Sequence, residues 1–116
     1  MSYKFLDHAT DAIIEINAKD LKEAFSVAAD AVINLTLDQN KVEEKNSIEF
    51  ESQGKDLYYL LFSWLEEIPF ILITKGFAIK RIEFNIEKNN TYKISAKAFG
   101  ETLDLKKHNF KVEIKA

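Results

Sequence analysis

The sequence predicts an α+β fold: one domain over residues 1–116, with two helices packed on a mostly antiparallel sheet in the order ββαβα(β)βββ. Three observations lead there. Short stretches that alternate polar and apolar residues lie near both ends and in the middle of the chain. Two longer stretches repeat apolar residues at helical spacing. No Pro-, Gly- or Ser-rich linker and no internal repeat divides the chain, and 116 residues with 47% hydrophobic content suffice for one core.

Tyr3–Leu6 and Ala12–Asn17 read as strands; in the second, Ile14 and Ile16 share one face while Ile13, Glu15 and Asn17 share the other. Asp20 is a natural N-cap with Glu23 three residues on, as in a capping box, and opens a helix. Leu21, Ala24, Phe25, Ala28, Val32 and Leu35 form its expected core stripe, and the polar run from Asp38 to Lys41 ends it. Ser47–Ser52 alternates again, with Ile48 and Phe50 inward. Asp56 can cap a second helix, Leu57–Thr74, whose apolar face (Leu57, Leu60, Leu61, Trp64, Leu65, Ile68) is widened by Tyr58, Tyr59 and Phe62. Pro69 lacks a backbone donor and should kink or break it, leaving Phe70–Ile73 as a continuation of open type, with Gly76 as a stop. Phe77–Glu87 and Tyr92–Phe99 read as a hairpin joined by residues 88–91. Thr102–Asn109 is polar, and Phe110–Lys115 alternates as a last strand.

The absence of cysteine excludes disulfides, thiolate catalysis, zinc–thiolate sites and iron–sulfur clusters. With only His8 and His108 as imidazoles, a metal site needs carboxylates and favours a hard divalent cation such as Ca or Mg. A net charge of −3 argues against a broad basic surface for gripping nucleic acid, yet suits docking on a basic protein surface. No leader precedes the first strand pattern and charged residues interrupt the apolar stretches, so the expectation is a cytoplasmic protein with no membrane span.

Among candidate chemistry, Asp7, His8 and Asp11 stand out: two carboxylates and an imidazole on one short turn between strands. Such residues build a divalent-metal site or an acid/base pair, and the same types also serve plain turn geometry. Glu66 and Glu67 lie on the polar side of the long helix, either solvated or, just before its break, turned into a cleft. Lys106, Lys107 and His108 form a short basic cluster that could meet a phosphate or only water. Phosphate loops, nucleophile elbows and zinc-protease helices are missing.

Four blocks together resemble the archease family. Asp7-His8-Ala9-Thr10-Asp11 is close to its Asp-His-Thr-Ala-Asp signature, with Ala and Thr exchanged. Leu21-Lys22-Glu23-Ala24-Phe25 is similar to its Leu-Glu-Glu-Ala-Phe. Gly54-Lys55-Asp56-Leu57 with Leu60–Glu67 resembles its second helix, and the blocks at 96–101, 107–108 and 112–116 its C-terminal part. The resemblance implies a protein cofactor of an RtcB-type tRNA-splicing RNA ligase rather than a free-standing enzyme. Such a cofactor promotes ligase guanylylation and multiple turnover and meets tRNA only through the ligase.

The resemblance also implies a bound divalent metal with Asp11 as ligand and Asp7 and His8 beside it. Glu67, Lys115 and His108 become the polar residues expected to activate the ligase. The family continues past residue 116 with a further acidic ligand, so a weaker metal site and an exposed sheet edge open to dimerisation are expected. Two other classes compete: a metal-independent protein-binding or chaperone-like module using the apolar second helix, and a small metal-assisted hydrolase.

Overall fold

The structure is a computed structural model that describes residues 20–111 in full and the backbone of residues 2–6 and 13–17. The chain runs β1 (Ser2–Leu6), β2 (Ile13–Asn17), α1 (Leu21–Thr36), a 3-10 turn (Gln39–Lys41), β3 (Asn46–Gly54), α2 (Leu57–Pro69), a π-helical turn (Phe70–Thr74), β4 (Phe77–Lys88) and β5 (Tyr92–Thr102). β1 and β2 pair antiparallel, with Phe5 opposite Ile14, and both touch α1. The other three strands form an antiparallel sheet in the order β3-β5-β4, so β5 is central. This is the α+β architecture expected from the alternating and helical patterns.

Both helices start where their caps demand. Asp20 Oδ1 accepts the Glu23 N–H at 2.8 Å and Asp56 Oδ1 the Tyr59 N–H at 2.9 Å, each satisfying a donor that the first turn leaves free. The inner stripe of α1 is rotated relative to the expected one. Phe25, Ala28, Ala29, Ile33 and Thr36 face inward, whereas Leu21 and Leu35 are exposed. Periodicity locates an apolar stripe only to within about a residue, and packing against α2, where Phe25 meets Trp64, fixes which side turns inward.

Pro69 neither stops nor breaks the chain's helical course. The Phe70 N–H is shared between the carbonyls of Glu66 and Glu67, and Lys75 N–H bonds Phe70 O at 3.1 Å, a five-residue closure. Phe70–Thr74 follows as a wider π turn rather than an extra strand, and it buries Ile71 and Leu72 in the core. Gly76, at φ 62°, then ends the helix in a left-handed conformation that glycine tolerates.

Trp64 organises the core. It is 0% exposed, stacks on Phe50 with centroids 5.6 Å apart, and meets Phe84 at 4.9 Å and Phe25 at 6.5 Å. Its indole N–H bonds Phe25 O at 2.9 Å, joining α2 to α1. Leu60, Ile68, Ile71, Leu72, Ile79 and Ile94 complete the centre. Over 18 residues, Leu57–Thr74 has a mean hydropathy of 1.4, which by length and composition reaches the level of a membrane span, contrary to the expectation that no stretch does. Its inner face is instead committed to this core. Its outer face carries Tyr58, Tyr59 and Phe62, which remain exposed rather than joining the core face.

β5 runs on to Thr102, three residues beyond the alternating stretch, because Glu101 and Thr102 continue the ladder opposite Ala78 and Phe77. Phe110 and Lys111, the start of the expected last strand, are not in a strand, and residues 112–116 lie outside the described part.

Candidate functional site

The C-terminal end of β5 delivers Glu101 into a polar cluster closed by the turn after it. Asp104 organises that turn: its Oδ1 accepts the N–H groups of Lys106 and Lys107, each at 3.0 Å, and its carbonyl accepts His108 N–H at 2.9 Å. Asn109, at φ 51°, reverses the chain in the left-handed region, which Asn adopts more readily than most residues. His108 thereby turns inward and is 0% exposed.

The hydrogen bonds assign the imidazole tautomer. Asp104 N–H donates to His108 Nδ1 at 2.9 Å, so Nδ1 is unprotonated and Nε2 carries the hydrogen. Nε2 donates to Glu101 Oε2 at 2.9 Å. The same carboxylate accepts Glu43 N–H at 2.9 Å and lies 2.9 Å from Lys107 Nζ and 3.5 Å from Lys45 Nζ. The His108 bond, the Glu43 N–H and the Lys107 ammonium hold the Glu101 carboxyl far below the usual carboxylate range. Lys107 is shifted upward in return, chiefly by Glu101.

A second cluster docks this turn on the end of α1. Asp38 N–H bonds His108 O at 2.8 Å, and Lys111 N–H bonds Thr36 O at 2.7 Å, a carbonyl that the end of α1 leaves free. Lys111 Nζ lies 2.7 Å from Asp38 Oδ1, and Asn109 donates to Asp38 Oδ2 at 3.0 Å; both bonds lower the Asp38 pKa.

These clusters hold the chain as it leaves Lys111; they do not build a reacting centre. His108 is shut from solvent and both its nitrogens are used. The Glu101 carboxylate is filled by four donors, two of them ammonium groups, so this cluster does not suit a cation. Among the described residues, no group of three His, Asp or Glu side chains gathers in metal-binding geometry.

Of the sequence candidates, Asp7, His8, Asp11 and Lys115 lie outside the described residues. Glu67 is half-buried on the last turn of α2, and none of the described hydrogen bonds or ion pairs joins it to Glu101 or His108. Lys106 is exposed, while Lys107 is committed to Glu101 and Glu43. The sequence alone picked out His108 but missed its partner Glu101, as well as Glu43, Lys45, Asp38 and Lys111. The available signal was a charged residue at the end of an apolar strand, seven positions before a lone histidine. A separate open cleft beside the N-terminus of α1 is edged by Asp20, Glu23, Glu49, Glu51 and Glu83, with Lys22 and Lys97, which concentrates acidic charge there.

A sequence profile of the Archease protein family matches residues 3–116. The chain belongs to the archease family. The "Protein archease" of Pyrobaculum islandicum is 39% identical over 95% of this chain and 76% of its own length. That of Pyrococcus abyssi is also 39% identical, over 98% of this chain and 81% of its own length. The solution structure of Methanobacterium thermoautotrophicum protein 1598 superposes with a TM-score of 0.77 at 29% identity, covering 98% of this chain and 81% of that one. Membership in the archease family supports an accessory protein that works with a protein partner, rather than a free-standing enzyme.

Proposed function

We propose that this chain activates an RtcB-type tRNA-splicing RNA ligase in the cytoplasm, promoting its guanylylation and repeated turnover. The observation that supports this most is the family match across residues 3–116, which includes the Asp7-His8-Ala9-Thr10-Asp11 signature. In this reading Asp11, with Asp7 and His8 beside it, holds a hard divalent cation. Hard oxygen ligands and the lack of thiolates favour Ca or Mg over softer metals. The cation would supply positive charge near phosphate oxygens of the ligase's nucleotide. Glu67 and Lys115 are the polar residues offered to the ligase, and His108 acts through the turn it holds. The net charge of −3 and the acidic cleft beside α1 suit a basic partner surface.

The test is multiple-turnover RNA joining by a matched ligase, with and without this chain, together with calorimetric titration of Ca and Mg. The parent chain is expected to stimulate joining, and Asp11→Ala to lose both the stimulation and the titration heat. Full stimulation by Asp11→Ala would defeat the metal role, and no stimulation by the parent would defeat the ligase role.

A further inference from the structure

The outer face of α2 repeats one pattern: Lys55, Tyr58, Tyr59, Phe62 and Glu66 recur at three- and four-residue spacing and so line up on one side. All five are exposed, with Tyr58 at 72%, Phe62 at 54% and Tyr59 at 46%. Lys55 precedes the helix but belongs to the stripe, since its Nζ lies 4.4 Å from the centre of the Tyr59 ring. The stripe is cationic at its N-terminal end, aromatic in the middle and acidic toward its C-terminal end.

That order is self-complementary. An isologous contact requires one surface to match itself after a half-turn. Placing a two-fold axis between Leu60 and Leu61 on antiparallel α2 helices sets Tyr59 of one copy against Phe62 of the other. The same axis sets Lys55 against Glu66, because both pairs share one midpoint in the sequence. Aromatic contact at the centre and opposite charges at each rim then form at once, and the Lys55–Glu66 pair occurs twice.

We propose that α2 is the contact surface for a second copy of this chain, in an antiparallel two-fold dimer with Tyr58, Tyr59 and Phe62 at its centre and Lys55–Glu66 pairs at its rims. The contact lies on the helix, away from the sheet edges β3 and β4, and does not rest on the ligase reading. Tyrosine and phenylalanine suit such a centre because they cover much area with few rotatable bonds.

The test is sedimentation of the full chain without ligase. The parent is expected to dimerise at or below about 0.1 mM. Lys55→Glu and Glu66→Lys each set like charges together twice and should weaken dimerisation about tenfold. The double variant K55E/E66K should recover the parent's affinity to within about threefold, which a merely damaged helix would not do. Phe62→Ser, at an exposed position, should leave the circular dichroism spectrum unchanged and abolish the dimer. A parent that stays monomeric, or a double variant no better than the singles, overturns the proposal. So does a monomeric parent whose Phe62→Ser variant loses ligase stimulation, because the face would then belong to the ligase.

Discussion

At Gly100 the central strand lies close against the backbone of β4. A Cβ placed on it would lie 1.8 Å from Ala78 O and 2.9 Å from Ala78 C, whereas real side chains essentially never come under 3.0 Å. Both atoms are backbone, so β4 and β5 must part by more than an ångström at the centre of the sheet. The register shift between Ile79 and Arg81 lies beside this approach, and Gly100 pairs with Ile79 there. Overpacking of this kind costs about 1–3 kcal/mol, while replacing glycine within a strand returns about 0.5–1 kcal/mol of chain entropy. Gly100→Ala should therefore lower stability by about 1–2 kcal/mol, with a melting temperature lower by roughly 4–10 °C. Glu101 is the next residue, so the same displacement should loosen the Glu101–His108 bond.

Urea unfolding followed by Trp64 fluorescence measures this well, because Trp64 is the single tryptophan and is fully buried. The midpoint should fall with an unchanged slope. A Gly100→Ala chain within about 0.5 kcal/mol of the parent would refute the claim that the β4–β5 approach requires glycine.

Two other perturbations test the network and the core. Because folding depresses the Glu101 carboxyl, its stabilising contribution is full above the ordinary carboxylate value of 4.5 and is lost as pH falls below it. Urea midpoints at pH 7 and pH 4 should fall less steeply for Glu101→Gln than for the parent, and equal slopes would remove Glu101 from the acid response. Trp64→Phe deletes the 2.9 Å bond to Phe25 O and leaves space beside Phe50 and Phe84, at a cost of about 2 kcal/mol. Thermal melting by circular dichroism measures it, and an unchanged midpoint would mean that the indole bond does not tie α2 to α1.

The caps, the two helices and strands β1 to β5 were legible because each is written locally. Asp20 and Asp56 sit next to the donors they satisfy, and Ile48/Phe50 and Ile94/Ala96/Ala98 alternate along their own strands. The family blocks were equally legible, since they are matters of residue order. The conformation of Phe70–Thr74 was not legible, because the donor missing at Pro69 permits either an end or a wider turn. Ile71 and Leu72 settled it by packing in the core. The rotation of α1 likewise depended on its packing against α2, where Trp64 holds Phe25.

Sequence alone determined the fold class, the helix starts, the acidic balance and the family, because these depend on neighbours within a few positions or on composition. Tertiary structure decided that Glu101 belongs with His108, Lys107, Lys45 and the Glu43 backbone, and that Asp38 belongs with Lys111. It also decided that the aromatic side of α2 stays outside the core. A carboxylate's partner 58 positions away is chosen by how strands and turns meet in space, and no local pattern encodes that distance.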